Sequence, residues 1–312
     1  MKDYRVLSLF DGISCGQAAL NRVLRNRPYS WFASEVDKRA MAITQHNFPN
    51  TLQVGDVRSL EWYTFKPIDI IMGGSPCQDF SVAGNKEGMF DIVSLDQYMK
   101  LRKENFKFKG ESYLFWEFVR LVKEINPTYF LLENTKMAKK WEDIITNALG
   151  VEPIRINSSL VSAQSRDRFY WTNIPNVTIP EDRFIYIDDI IPGARNGYGY
   201  GGVKNKITGK YEYPWTERKD HKAGCLVKNG GNRDYVRFDD NTHRKITLTE
   251  RELLQTLPAG YTDVPGVSTT ARKEGIGNGW TVDVIEHILS HIPNIQPNEL
   301  YHREVESFGA DY

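Results

Sequence analysis

The stretch Ile70-Ile71-Met72-Gly73-Gly74-Ser75-Pro76-Cys77-Gln78-Asp79-Phe80-Ser81 decides how the rest of the chain is read. It begins inside a short buried strand, Ile68–Met72, rich in isoleucine and interrupted only by Asp69. The chain turns at Gly73-Gly74, and Ser75-Pro76-Cys77-Gln78 then sets one cysteine just past the carboxyl end of that strand. In an open α/β sheet, ligands bind outside the carboxyl ends of the strands. A thiol there, behind a rigid proline, is a candidate nucleophile. The competing reading is a small buried hydrophobe, as most unpaired cysteines are.

Strands with the same character flank this one. Val6–Phe10 opens the chain and runs into Asp11-Gly12-Ile13-Ser14-Cys15-Gly16, after which Gln17–Leu24 has helical character. Strand, glycine turn and helix form the first unit of a nucleotide-binding fold, although the turn lacks the full GxGxxG pattern. Trp31–Ser34 is a second strand, ending in Glu35, and Arg39–Phe48 a helix. A carboxylate at the end of the second strand commonly takes ribose hydroxyls; the alternative is a solvated strand end. Val54-Gly55-Asp56-Val57 reads as a third strand end, with Asp56 placed to accept from an adenine amino group. Three successive strand ends carrying Phe10-Asp11, Glu35 and Asp56 argue for a pocket better than any one of them.

Beyond Cys77, Phe80–Gly110 is long and polar, a lid by expectation or else a surface excursion with a short helix at Ser94–Lys103. Ser112–Ile125 is amphipathic. Pro127–Leu132 is a further buried strand and ends in Glu133-Asn134 at the same sheet edge as Cys77. Asn134 also reads as a helix cap, which explains Glu133 less well. Arg155–Val161 reads as a strand. Arg166 and Arg168, facing one way before the aromatic strand Phe169–Thr172, are suited to a base carbonyl or a phosphate, or to a surface ion pair.

The α/β alternation stops near Pro180. Arg183–Lys245 reads as a small, irregular, mostly β module with thirteen Lys/Arg against eight Asp/Glu, interleaved with Tyr198, Tyr200, Tyr211, Tyr213 and Trp215. Such a basic, aromatic surface suits phosphate contact and stacking. Thr249 with Glu252 fits a capping box for a following helix. Ala271–Gly279 reads as a polar hinge, Trp280–Ile292 as a final amphipathic helix, and Pro297–Tyr312 as a polar tail.

Bulk properties narrow the class. The chain has 312 residues, with 40 Lys/Arg and 40 Asp/Glu and a formal net charge of zero, which argues against a charge-only nucleic-acid binder. Its three cysteines, Cys15, Cys77 and Cys225, are too few and scattered for a disulfide framework, and no CxxC pair suggests zinc. No metal is expected. The start of the chain enters a strand at once, without a signal peptide, and no apolar run is long enough for a bilayer. A cytoplasmic, reduced setting is expected.

In order, Phe10-Asp11-Gly12, Glu35-Val36, Asp56-Val57, Gly74-Ser75-Pro76-Cys77-Gln78, Glu133-Asn134, Gln164-x-Arg166-x-Arg168 and Gly277-Asn278-Gly279-Trp280 resemble the DNA (cytosine-5)-methyltransferase family. The resemblance covers roughly Val6–Thr172 and Lys245–Leu289, and the interval between falls where that family keeps its target-recognition region. The opening Ser-Leu-Phe-Asp-Gly-Ile and the short recognition region look more like the animal de novo branch. Departures are Ser14-Cys15 where many relatives have further glycine, Thr135 after Glu-Asn, and a lid at Gly84–Gly110 that looks longer than usual.

The resemblance implies a Rossmann-like, S-adenosylmethionine-dependent methyltransferase fold: a mostly parallel sheet over 1–177, completed by 264–312, and a small target-recognition domain over 178–263. It implies Cys77 as nucleophile, Glu133 at the N3 and N4 edge of the base, Arg168 at O2, and Arg166 and Asn134 in support. S-adenosyl-L-methionine, leaving as S-adenosyl-L-homocysteine, would be lined by Phe10, Asp11, Gly12, Ile13, Glu35, Val36, Asp56, Val57, Pro76, Asn278 and Trp280. Gln78, Ser81, Lys86 and Arg233 are the expected contacts to double-stranded DNA, with the target cytosine flipped out of the stack. The bacterial or phage type of the family adds a cognate restriction endonuclease to the candidate partners; the sequence carries no signature of oligomeric state. Two other functions compete: the same fold acting on transfer RNA, whose branch carries a Cys-Phe-Thr signature that is not found here, and a catalytically dead DNA-binding relative, against which intact Cys77, Glu133 and Arg168 count.

Overall fold

Side chains alternate along the central strands and divide the core into two faces. The structure is a computed structural model and describes residues 3–295 apart from 26, 66, 77–91, 196–202, 205, 210, 213–217, 229–234 and 241. Strands β1 (Tyr4–Leu9), β2 (Tyr29–Ser34), β3 (Leu52–Gln53), β4 (Ile70–Gly74), β5 (Tyr129–Thr135), β6 (Ile154–Asn157) and β7 (Asp167–Thr172) form one sheet in the order β3-β2-β1-β4-β5-β7-β6. All neighbours are parallel except β7, which runs antiparallel to both β5 and β6. The mostly parallel, Rossmann-like sheet expected from the sequence is the one observed.

Helices α1 (Cys15–Leu24), α2 (Lys38–Asn47), α3 (Leu95–Lys103), α4 (Phe115–Ile125), α5 (Lys139–Leu149), α6 (Ile187–Ile190), α7 (Leu248–Leu254), α8 (Thr269–Asn278) and α9 (Val282–Ser290) follow in chain order. With a side-chain period of two, Val6, Ile70, Met72, Leu131 and Tyr170 face one layer, built from α1, α2, α8 and α9. Leu7, Leu9, Ile71, Leu132 and Trp171 face the other, built from α3, α4 and α5. Burial on both sides explains why these strands read as continuous apolar runs rather than alternating ones. A Cβ on Gly73 would lie 2.7 Å from the Leu9 carbonyl oxygen, so only glycine lets β4 close against β1 at the carboxyl edge.

The last helix returns to the sheet from the far end of the chain. α9 packs on α1, fastened by Arg22, whose guanidinium pairs with Asp283 at 2.7 Å and donates to the Thr256 carbonyl at 2.5 Å. The module after β7 is small and β-rich: β8 (Ala194–Arg195), β11 (Tyr235–Phe238) and β12 (His243–Lys245) form an antiparallel sheet, and β9 (Val203–Lys204) pairs with β10 (Tyr211–Glu212). Its buried Ala223, Leu226 and Val236 join the α1/α9 core layer.

Four local readings differ from the sequence expectation. The third strand is Leu52–Gln53, and Val54–Val57 lies beyond it; Asp56 caps a 3-10 turn over Val57–Ser59, its Oδ1 accepting from Arg58 N at 2.9 Å. Arg155–Val161 is strand only to Asn157, because the Asn157 side chain then accepts from Ser159 N at 3.0 Å and starts another 3-10 turn. The capping box belongs to Thr247 and Glu250, two residues earlier than Thr249 and Glu252; the pattern occurs twice in the sequence, and Glu252 is instead buried, accepting from Gly260 N and Thr262 N. Ala271–Gly279 is no hinge but most of α8, begun by Ser268 accepting from Ala271 N at 3.2 Å. Its glycines, unfavourable to a helix alone, are required by packing: a Cβ on Gly275 would meet Ile13 Cγ2 at 2.7 Å, and one on Gly277 would meet the 227–228 backbone at 2.6 Å.

Of the expected lid, residues 80–91 lie outside the described residues. The rest is docked: α3, N-capped by Ser94, buries Tyr98 against Phe108 and Tyr113, and the Tyr98 hydroxyl donates to Glu117 on α4. Among the described residues no helix is long and apolar enough to cross a membrane.

Candidate active site

The carboxyl edge of the sheet gathers two sets of polar groups. The first lies past β1 and β2. Phe10 takes φ 56° and Gly12 φ 58°, so the chain leaves β1 through two left-handed residues, an unusual conformation for phenylalanine that turns the backbone outward. Glu35 braces this turn: its Oε2 accepts from Gly12 N at 2.8 Å, while Oε1 accepts from Val36 N at 2.7 Å and Asp37 N at 2.8 Å. Asp11 is half-buried beneath, accepting from Trp31 Nε1 at 3.1 Å and from the Ser14 hydroxyl. Burial raises its carboxyl to about 6, against the lowering effect of those hydrogen bonds.

Around this turn the expected residues divide. Val36 is 68% exposed beside Glu35, free to cover a ligand face. Ile13 and Val57 are buried in the two core layers, so only their backbones face the edge; the Ile13 carbonyl already accepts from Tyr261 at 2.7 Å. Asp56 is paired with its neighbour Arg58, whose guanidinium holds the carboxyl below its usual range. An acceptor lone pair for an amino group remains compatible with that pairing.

The second set lies past β4, β5 and β7. Register places Gly74 beside Glu133 and Tyr170 beside Glu133 on the other side. Glu133 Oε1 is 2.8 Å from Arg168 Nε, and Glu133 Oε2 accepts from Trp280 Nε1 at 3.2 Å. Asn134 lies inside β5 rather than at a helix cap, and its Nδ2 donates to Ser75 Oγ at 3.1 Å. That bond ties the Ser75-Pro76 turn to β5. Residue 77 follows directly in sequence. Cys77, Gln78, Ser81, Lys86 and Arg233 lie outside the described residues.

Arg166 points the same way as Arg168 but does other work. It is 5% exposed and donates to the carbonyls of Leu226 at 3.1 Å, Gly277 at 3.3 Å and Gly279 at 2.9 Å. One side chain thus ties the small β-rich module and the α8–α9 turn to the carboxyl edge of the sheet. The surface ion pair considered for this segment falls instead to Arg155 and Asp167. Asn278 is exposed at the end of α8, and Trp280 is half-buried beside it.

Cys225 is the residue the sequence left unassigned. Its sulfur is 3.5 Å from an Arg166 nitrogen and 3.9 Å from an Arg168 nitrogen. Burial alone would raise this thiol, but the two guanidinium groups bring it below its usual range. Nothing local marks Cys225; only the long-range approach of residue 225 to residues 166 and 168 does. Cys15, by contrast, is sealed in the core and pushed up to about 12 by burial.

The chain is similar to known proteins. Residues 4–150 match the family model described as C-5 cytosine-specific DNA methylase. The type II methyltransferase M1.ScrFI of Lactococcus lactis subsp. cremoris is 26% identical over 329 residues, 91% of this chain and 77% of the relative. The orphan methyltransferases M.SPRI of Bacillus phage SPR and M.Rho11sI of Bacillus phage rho11s are 30% and 29% identical over 54% and 59% of this chain. Those two alignments span 37% and 36% of the phage proteins' own length. Among solved structures, a DNMT2 of Spodoptera frugiperda gives a TM-score of 0.61 at 16% identity, covering 93% of this chain and 99% of that one. EhMeth of Entamoeba histolytica gives 0.63 at 15% identity, covering 93% and 98%. At those identities the likeness is one of fold.

Proposed function

We propose that this chain, whose residues 4–150 match the C-5 cytosine-specific DNA methylase model, is a member of that family and methylates C5 of a cytosine flipped out of double-stranded DNA, with Cys77 as the covalent nucleophile. The observation that carries the reading is the Glu133–Arg168 pair, 2.8 Å apart, at the sheet edge where the Ser75-Pro76 turn leads to Cys77.

The first set of groups fits an adenosine-bearing cofactor. A half-buried carboxylate, a strand-end glutamate fastened to a left-handed turn, an exposed valine and a paired aspartate lie past the ends of β1, β2 and β3. Phe10, Asp11, Gly12, Glu35, Val36, Asp56, Pro76, Asn278 and Trp280 would hold S-adenosyl-L-methionine, with Ile13 and Val57 contributing backbone. When bound, it supplies a methyl group on a sulfonium and leaves as S-adenosyl-L-homocysteine.

The chain's own residues prepare the base. Cytosine C5 is too poor a nucleophile to take a methyl group unaided. The Cys77 thiolate adds to C6, forming an S–C6 bond and shifting an electron pair towards C5. Glu133 engages N3 and N4 and moves a proton at N3, while Arg168 at O2 resists charge build-up there. Once C5 carries the methyl group, loss of the C5 proton returns the pair to the ring and breaks the S–C6 bond. Arg166 and Asn134 hold these groups without meeting the base. Gln78, Ser81, Lys86 and Arg233 would contact DNA, and the module over 178–263, with its basic stretch Arg183–Lys245, would read the target. A cognate restriction endonuclease is the partner that a type II member would have.

The test is incubation with labelled S-adenosylmethionine and unmethylated genomic DNA, followed by base-resolution mapping, with Cys77→Ser alongside. Label recurring as 5-methylcytosine at one short sequence, and lost in the variant, supports the proposal. Label on transfer RNA instead, or none on DNA despite cofactor binding, overturns it.

A further inference from the structure

The Trp280 indole lies where the two sets of groups meet. Its ring rests on two glycines: a Cβ on Gly16 would come within 3.0 Å of Cζ3, and one on Gly74 within 2.9 Å of Nε1. The preceding Gly279 is equally hemmed, since a Cβ there would lie 2.9 Å from Cys15 Sγ. Arg166 grips the Gly279 carbonyl from below, and Gln255 Nε2 donates to the same oxygen at 3.1 Å. The indole therefore has one seat, and from it Nε1 donates to Glu133 Oε2 at 3.2 Å.

Glu133 thereby has each oxygen held by a different group, Oε1 ion-paired with Arg168 and Oε2 accepting from Trp280. Arg168 comes from β7, beside Glu133 in the sheet. Trp280 comes from the turn between α8 and α9, the segment placed in the cofactor wall. A carboxylate fixed at one oxygen only can rotate about its terminal torsion, which is broad. Fixed at both, it presents one plane to the base.

We propose that Trp280 is a positioning residue for Glu133, its indole N–H fixing the plane of the carboxylate that meets the cytosine. The role rests on the reading of Glu133 as the group at N3 and N4. It adds to the cofactor contact expected of Trp280 and separates from it chemically: the ring faces the cofactor wall, the N–H faces the acid. Phenylalanine keeps most of the ring and loses only the N–H.

The experiment compares wild type, Trp280→Phe, Glu133→Gln and the double variant. Trp280→Phe is expected to lower kcat about ten- to a hundred-fold, the usual weight of a hydrogen bond to a charged group, while the dissociation constant for S-adenosylmethionine stays within about twofold. In the Glu133→Gln background the same change is expected to cost little, because the two residues act as one unit. A parallel readout independent of turnover is the Trp280 indole ¹H–¹⁵N resonance, assigned by its loss in Trp280→Phe and expected to move in Glu133→Gln. An active wild type with additive losses, or an unmoved resonance, overturns this inference alone. A wild type that transfers no methyl group to cytosine overturns the functional reading and this role with it.

Discussion

Glu133 and Arg168 meet diagonally across the β5–β7 pair, Oε1 to Nε at 2.8 Å, because the antiparallel register sets Glu133 opposite Tyr170 and Thr135 opposite Arg168. Diagonal neighbours on one face of a sheet are within reach of long side chains. Both side chains are largely buried, Glu133 10% and Arg168 13% exposed, so the pair is screened little by water. Tyr170 beside them is itself raised, by burial first and then by the Glu133 charge.

Arg168→Ala should therefore strip a charge that opposes build-up at O2 and leave Glu133 half-paired. A loss of about 10²–10³ in kcat is expected, the scale of removing one donor at a developing charge. The dissociation constant for S-adenosylmethionine should change little, since Arg168 lies outside the first set of groups. Single-turnover kinetics beside cofactor titration check this; equal losses in both would refute the separation of roles.

Adjacent glycines at the end of β4 should fail differently. A Cβ on Gly73 meets the Leu9 carbonyl oxygen at 2.7 Å and Phe118 at 3.2 Å, both fixed parts of the core. Gly73→Ala should cost about 2 kcal/mol or more through overpacking, read as a lower denaturation midpoint. A Cβ on Gly74 meets Trp280 Nε1 at 2.9 Å and Glu133 Oε2 at 3.1 Å, both side chains of the site. Gly74→Ala should leave stability nearer wild type and lower methyl transfer. Identical profiles for the two variants would count against the placement of Glu133 and Trp280.

Asp11 carries a pH signature. Its carboxyl is raised from 3.8 to about 6 by burial. A carboxyl with a higher pKa folded than unfolded holds its proton more tightly when folded. Stability from this group is therefore greatest below about pH 4 and falls as pH rises to about 6, by on the order of 2–3 kcal/mol. Asp11→Asn keeps an acceptor for Trp31 and carries no charge. It should unfold at a higher temperature than wild type near pH 8, and that advantage should fade near pH 4. Thermal scans across this range decide it, since a constant offset would place the effect elsewhere. Weaker cofactor binding should accompany the gain, as expected where stability is spent on function.

What was legible in the sequence was what neighbours in the chain determine. The strands show because both their faces are buried, and the strand-end carboxylates Asp11, Glu35 and Glu133 show because charge after an apolar run is conspicuous. Helix α8 was hidden because its glycines and charges look like a loop, and its reason for being a helix lies in Ile13 and the 227–228 backbone. The capping box slipped because two overlapping patterns compete, and burial of Glu252 beside Gly260 and Thr262 settles which one caps. Cys225 beside Arg166 and Arg168 had no local mark at all, since 57 residues of chain separate it from its nearer arginine.

Arg166 is the sharpest case of a residue whose local reading undersells it. As one of two arginines before an aromatic strand it looked suited to a base carbonyl, a phosphate or a surface ion pair, and by resemblance to a supporting role. Instead its guanidinium satisfies three carbonyls, those of Leu226, Gly277 and Gly279, that would otherwise be buried with fewer donors. Lysine has the charge but not the planar fork, and cannot span carbonyls in three directions. Arg166→Lys should thus lose stability by about 1–3 kcal/mol, the cost of leaving buried acceptors unsatisfied. It should also loosen the turn that carries Trp280, weakening cofactor binding and methyl transfer together, whereas Arg168→Lys should weaken transfer alone. Calorimetric unfolding, cofactor titration and turnover of the two lysine variants check this. If Arg166→Lys kept its cofactor affinity while losing turnover, Arg166 would be acting at the base rather than as the clamp between the module and the sheet.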